Sequence, residues 1–199
     1  MHLIVQHRYA ISGVAGDIRA CIDHLGYSSV AVDQNQDVYA TTMTTSGPGP
    51  HAVCVFKHSC GGGGGGWVKV HSFNYGPADY VTLSVRYNQI KCCCKHQHSI
   101  SVYTPRGELL HRYGRRGRGA GDQLKLPIIC DDDSDGSVLI ASYGTSRHRL
   151  RIMTEQGEFR VMTLDLDVPQ QQGALLFDSY LYVTSWTKQT ITKMKSVPW

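Results

Sequence analysis

The sequence predicts an all-β protein, and three observations carry the prediction. Gly and Tyr are abundant, at 21 and 11 of 199 residues. The acidic residues are thirteen Asp against three Glu (Glu108, Glu155 and Glu158). Apolar residues fall at every second position in short runs, as in Ile100-Ser-Val102 and Leu150-Arg-Ile152. Glycine is a poor helix former, tyrosine and β-branched residues suit strands, and aspartate suits the turns between them. With 41% hydrophobic and 18% charged residues, the composition differs from that of a charge-rich disordered chain. No run approaches the roughly 18 apolar residues of a membrane-spanning helix, so no membrane association is expected. The N-terminal apolar run, Leu3-Ile-Val5, is too short for the core of a signal peptide. Seven cysteines, an odd number with no Cys-x-x-Cys pair, fit a reducing compartment, so a cytoplasmic location is expected.

The elements repeat. His98-Ser-Ile-Ser-Val-Tyr-Thr-Pro-Arg-Gly-Glu aligns without a gap on His148-Arg-Leu-Arg-Ile-Met-Thr-Glu-Gln-Gly-Glu, fifty residues on. His51-Ala-Val-Cys-Val-Phe is a third copy, and Gln189-Thr-Ile-Thr-Lys a weaker fourth that keeps Ile191. Each copy is preceded by a strand-like segment around Tyr39, Lys91, Leu139 or Tyr182, and each of those by a third: Ser29-Val-Ala-Val-Asp33, Tyr80-Val-Thr-Leu-Ser84, Pro127-Ile-Ile-Cys-Asp131 or Gly173-Ala-Leu-Leu-Phe177. The spacing of those four central positions is 43 to 52 residues, the length of one four-stranded propeller blade. Turn chemistry agrees, with Pro105-Arg-Gly107 and Gln156-Gly157 between alternating strands. The expected architecture is a β-propeller of about four blades, near residues 27–75, 76–124, 125–170 and 171–199 (the last incomplete), with 1–26 as the end of a preceding blade.

Between Ser99 and Met153 the chain resembles NHL repeats, the propeller repeats at the C-terminus of tripartite-motif proteins. The matching features are Thr104-Pro-Arg-Gly107, Tyr113-Gly114, the glycine-rich stretch 117–121, Leu124-Lys-Leu-Pro127, Ile128-Ile-Cys-Asp131 and His148-Arg149. The first repeat departs through the Gly61–Gly66 run, and the second has Ser84 where an Asp is expected. The resemblance implies a recognition module, the substrate-selecting part of a tripartite-motif-like ubiquitin ligase. NHL propellers commonly close with six blades, so this chain reads as a partial or shortened propeller. Two unpaired edges would then favour self-association. No RING or B-box is present, because the cysteines and histidines lack paired zinc spacing.

One segment concentrates charge. Between Pro105 and Leu126 there are six basic residues (Arg106, Arg112, Arg115, Arg116, Arg118 and Lys125) and two acidic ones, a local +4 that equals the net charge of the chain. Guanidinium groups beside Tyr113 suit phosphate contact and stacking on an unpaired base, or an acidic protein surface. The candidate nucleic-acid or acidic-partner residues are therefore Arg112, Tyr113, Arg115, Arg116, Arg118 and Lys125. His51, His98 and His148 share one repeat position and are expected to make one structural hydrogen bond in each blade. Gly107, Gly157, Asp33 and Asp131 are expected to be structural as well.

Other motifs fall short of chemistry. Asp131-Asp-Asp-Ser-Asp-Gly136 opens like a calcium loop, but Ser142 stands where the bidentate Glu belongs, and a β-turn is the better reading. His96 and His98 share a strand face, which a metal can exploit, though the repeat supplies the simpler account. The Gly61–Gly66 run lacks the Lys-Ser/Thr of a phosphate-binding loop. No Gly-x-Ser-x-Gly elbow occurs. With no metal, cofactor or catalytic set in view, the sequence predicts a module that is not an enzyme. Its expected partner is a protein, with single-stranded RNA as the alternative and a propeller hydrolase or lyase as a distant third.

Overall fold

The structure, a computed structural model, describes residues 27–42, 51–59, 66–76, 81–95, 97–116, 123–132, 135–142, 149–162, 171–177, 180–185 and 189–195. These residues form strands joined by turns, and none of them is helical. The strands are β1 (Tyr27–Val32), β2 (Val38–Thr42), β3 (His51–Ser59), β4 (Gly66–Gly76), β5 (Val81–Arg86), β6 (Gln89–Cys94), β7 (Ser99–Tyr103), β8 (Leu109–Tyr113), β9 (Arg115–Arg116), β10 (Gln123–Leu124), β11 (Pro127–Asp132), β12 (Val138–Ser142), β13 (Arg149–Met153), β14 (Phe159–Met162), β15 (Gln171–Phe177), β16 (Tyr180–Ser185) and β17 (Thr190–Lys195). They assemble as three four-stranded sheets in chain order (β1–β4, β5–β8 and β11–β14), one three-stranded sheet (β15–β17), and the short pair β9–β10. Successive up-and-down sheets of this kind are propeller blades, and the fold is a β-propeller. The proposed end of a preceding blade in 1–26 and the Gly61–Gly65 stretch lie outside the described residues.

The chain divides into two compact units, residues 1–92 with 101–112 and residues 93–100 with 113–199. In the first unit, Val30, Val38, Ala40, Cys54 and Phe56 form a buried cluster, with Val32 and Trp67 against it. The Leu83 amide donates to Ser29 Oγ at 3.1 Å, tying β5 to β1. In the second unit, the inner strands of the β11–β14 sheet carry core residues on both faces. Ile129, Val138, Ile140 and Met153 pack with Cys93, Ile100 and Leu124. On the other face, Ile128, Cys130, Leu139, Ala141, Leu150 and Ile152 pack with Ala174, Leu181 and Val183 of the fourth sheet. Each such aliphatic side chain contributes roughly 1.5–3 kcal/mol on burial, and polar residues such as Ser101, Lys91 and Arg151 are buried among them in the inner strands. The fourth strand of a sheet is wetter: β8 is exposed at four of its five residues.

The turn glycines position the outer strands. In residues 104–108 the Thr104 amide donates to the Glu108 carbonyl and the Gly107 amide to the Thr104 carbonyl, both at 2.9 Å, and residues 154–158 repeat both bonds at the same distance. Gly107 and Gly157 have φ of 87° and 85°, a left-handed conformation open to glycine at little cost. Each also receives an aromatic ring, Phe73 on Gly107 and Tyr113 on Gly157, in the space a Cβ would take.

Candidate functional site

A cleft opens in the first unit where the hairpin loop after β1 meets the hairpin loop after β5. It is a shallow depression of about 10 Å³, room for little more than one water molecule, and is lined by Asp33, Gln34, Tyr39, Val85, Arg86, Tyr87 and Asn88. Asp33 organises one wall. Its Oδ1 accepts from the amides of Asn35 and Asp37 at 2.8 and 2.9 Å, and its Oδ2 accepts from the Tyr39 hydroxyl at 3.3 Å. Burial, followed by the Asp33 and Asp37 carboxylates, holds the Tyr39 phenol well above the ordinary tyrosine range. Asp37 faces away into an ion pair with Lys57 at 2.8 Å, and the accepted hydrogen bond raises the Lys57 pKa.

The other wall is a two-residue turn, Tyr87-Asn88, with both residues left-handed at φ 48° and 56°. Such turns match the twist of antiparallel strands but favour Asn-Gly. A bulky residue at the first position costs on the order of 1–3 kcal/mol of backbone strain. The turn puts Tyr87 at the tip of the hairpin, half exposed at 51%, and Arg86 and Asp33 line the same depression. The sequence reading missed this site apart from Asp33. Its signal was available as a tyrosine, rather than a glycine or aspartate, in a tight hairpin turn.

Arg112 Nε donates to Ser101 Oγ at 3.2 Å, which lays the side chain along the sheet. Tyr113 is partly buried, packs against the core containing Ile100 and Met153, and leans on Gly157 with its hydroxyl 3.5 Å from the Gln156 carbonyl. Arg115 and Arg116 pair in parallel with Gln123 and Leu124. Arg118 lies outside the described residues. The Lys125 backbone is clamped by Ser142, whose Oγ accepts from its amide at 3.0 Å and donates to its carbonyl at 3.1 Å.

The shared-bond expectation for the histidines is corrected. His51 Nδ1 lies 3.3 Å from the Thr42 carbonyl, which accepts a hydrogen bond from the ring. His98 Nδ1 instead accepts from the Leu126 amide at 3.0 Å. One is a donor and the other an acceptor, because His98 sits in a left-handed turn at φ 57° whereas His51 opens a strand. His148 and His96 lie outside the described residues. At the β11–β12 turn, Asp131 Oδ1 accepts from the Asp132 amide and Asp135 Oδ1 from the Ser137 amide, at 2.9 and 2.8 Å, and Gly136 is left-handed.

No protein-family model and no curated protein sequence matches the chain, so the NHL resemblance rests on its motifs alone. Solved structures do match. A structural genomics protein of unknown function from Bacteroides thetaiotaomicron aligns with TM-score 0.56 and 13% identity over 84% of this chain and 46% of that one. Virginiamycin B lyase from Staphylococcus aureus, in a catalytically inactive form with quinupristin, aligns with TM-score 0.53 and 13% identity over 87% of this chain and 56% of that one. The nidogen/laminin complex aligns with TM-score 0.50 and 14% identity over 86% of this chain and 76% of the matched chain. This chain spans about half the length of the first two. At these identities the likeness establishes the propeller fold. It also corrects the sequence expectation that the chain is not an enzyme. The lyase carries its chemistry on this fold, so the missing serine, histidine and aspartate set does not separate the chain from propeller enzymes.

Proposed function

We propose that the chain is a recognition module that binds a protein partner at the Asp33–Tyr87 cleft. The observation that supports this reading most is Tyr87, a half-exposed aromatic in a left-handed turn that lines one depression with Asp33 and Arg86. Exposed tyrosine and arginine on rigid hairpins are the side chains that carry binding energy at protein interfaces. Strain kept at such a position points to a role outside the fold itself. The NHL-like motifs make substrate selection for a tripartite-motif-like ubiquitin ligase the specific form of this reading.

The test is quantitative capture from cell extract by the full chain and by Tyr87→Ala, with and without ribonuclease. The expected result is a protein enriched by the parent, resistant to ribonuclease and lost with Tyr87→Ala. Capture that Tyr87→Ala leaves intact overturns the reading. A second reading, single-stranded RNA at the basic segment, is favoured by the +4 concentrated between Pro105 and Leu126. Capture that disappears with ribonuclease and with Arg115, Arg116 and Arg118 changed to Ser supports it instead.

A further inference from the structure

His98 is bonded in a different sense from His51 and His71. The rings of His51 and His71 lie 3.3 and 3.1 Å from the carbonyls of Thr42 and Arg106. A carbonyl can only accept, so each of those rings is the donor, and a ring nitrogen that donates keeps its proton when the imidazole becomes charged. His98 Nδ1 accepts from the Leu126 amide at 3.0 Å. An amide can only donate, so Nδ1 has to be bare, and the neutral ring carries its proton on Nε2. Charging the imidazole places a proton on Nδ1 and turns the acceptor into a second donor. The bond does not survive that change.

The bond sits where the basic segment meets the core. Leu126 lies between β10 and β11, and both it and His98 are left-handed, at φ 46° and 57°. Leucine avoids that conformation unless a contact holds it there, and the bond to His98 is such a contact at the Leu126 amide. The start of the segment reaches the same turn. Gly114, at φ 87°, leaves open the space that a Cβ would take beside the His98 carbonyl and the Leu124 side chain, and Leu124 is buried with Ile100 and Met153. Lys125 is held differently: its amide and carbonyl both bond to Ser142 Oγ, a hydroxyl with no charge change near neutral pH. Among the described residues, the charged side chains on the segments that meet at His98 are Lys95 on its own turn, Arg115 after Gly114 and Lys125 before Leu126. All three are cations and offer an imidazolium no ion pair. The titratable Tyr113 turns its hydroxyl to the Gln156 carbonyl.

We propose that His98 is an acid-sensitive latch on the basic segment. Above the ordinary imidazole range, about 6.5, the neutral ring holds the Leu126 amide and fixes the chain between β10 and β11. As pH falls through that range the ring takes a proton at Nδ1, the amide is released, and Leu126 leaves its left-handed conformation. The stretch carrying Arg115, Arg116 and Lys125 is then freed at its Leu126 end. The sign follows from the bond: only the neutral ring makes it, so its stabilisation is complete above the imidazole range and lost below it. The inference goes beyond the recognition reading and holds whichever partner is bound.

The test uses the full chain and reads amide exchange at Leu126 and Lys125 by nitrogen-15 NMR, each rate divided by that of the same residue in an unfolded peptide at the same pH. Protection of Leu126 in the parent should fall on the order of tenfold between pH 7.5 and pH 5.0, where an imidazole is neutral in only about 3% of molecules. Lys125 should keep its protection. In His98→Asn the amide oxygen takes the place of Nδ1 and asparagine tolerates the left-handed backbone, so Leu126 should be protected equally at both pH values. The ring gives a reading that needs no variant: the nitrogen shifts of His98 at pH 7.5 should show Nδ1 without a proton. Should the asparagine not reach the amide, the ring shifts and the two amides of the parent decide alone. A proton on Nδ1 at pH 7.5 overturns the proposal. So does Leu126 protection in the parent that is the same at both pH values, an acid loss that Lys125 shares, or an acid loss that His98→Asn retains.

Discussion

Tyr113 lies with its ring in the space that a Cβ on Gly157 would occupy. Gly157 is therefore needed twice, once for its left-handed backbone at φ 85° and once for the absence of a side chain. The Tyr113 ring in turn closes the core that contains Ile100, Leu124 and Met153.

Gly157→Ala should accordingly be among the most destabilising single changes in the second unit. Left-handed alanine costs roughly 1–2 kcal/mol, and overpacking against the ring adds about 1–3 kcal/mol. Urea unfolding of Gly157→Ala, of Tyr113→Ala and of the double variant measures this. The double variant should cost less than the sum of the singles, because removing the ring removes the clash. Strict additivity would show that the two residues do not share the space.

Tyr87 should exchange stability for binding. Tyr87→Gly relieves the strained turn and is expected to be neutral or stabilising by up to about 1 kcal/mol, while partner capture falls. Thermal melting and capture on the same preparations give both readings. A Tyr87→Gly chain that is clearly less stable would mean that the ring packs rather than protrudes.

Alkaline pH should destabilise the protein through two buried groups. Burial pushes the Cys130 thiol up to about 12, and burial with Asp33 raises the Tyr39 phenol. Both groups have folded pKa values above their unfolded ones. Their contribution is therefore complete below the unfolded values, near 9 for the thiol and 10 for the phenol, and is lost as pH rises through the folded ones. Stability measured from pH 7 to 11 should decline above about 9. Tyr39→Phe should flatten the part above about 10 and, at pH 7, cost about 0.5–1.5 kcal/mol for the lost bond to Asp33.

The buried thiols should also be unreactive in the native state. Cys54, Cys92, Cys93, Cys94 and Cys130 are buried and in no disulfide, and only exposed thiolates alkylate readily. Mass spectrometry after brief iodoacetamide treatment at pH 8 should find these five unmodified in native protein and modified in urea. Rapid labelling of the Cys92–Cys94 run would show that the second sheet opens locally.

If RNA is bound, changing Arg115, Arg116 and Arg118 together to Ser should flatten the log–log salt slope by about two units, near 0.7 per phosphate contact for single strands. Fluorescence anisotropy at several salt concentrations checks this. An unchanged slope would leave the basic segment as a solvated loop.

The repeat period and the every-second apolar spacing determined the strands and the blade-sized sheets, because alternation and turn chemistry are local properties written along the chain. The paired turns at Thr104–Glu108 and Thr154–Glu158 were legible for the same reason: a Thr, a Gly and a Glu at fixed offsets specify one hydrogen-bond pattern. Tertiary structure decided the rest. By alternation, Arg151 reads as a solvent-facing residue between Leu150 and Ile152, yet it is 1% exposed, since an inner strand is covered on both faces. His51 and His98 occupy one repeat position and make opposite hydrogen bonds, because each bond depends on what packs beside it. The Asp33–Tyr87 cleft joins residues about fifty apart in the chain. Ile191 is 72% exposed while its aliphatic counterparts Val53 and Leu150 are buried, a difference that spacing along a strand does not carry.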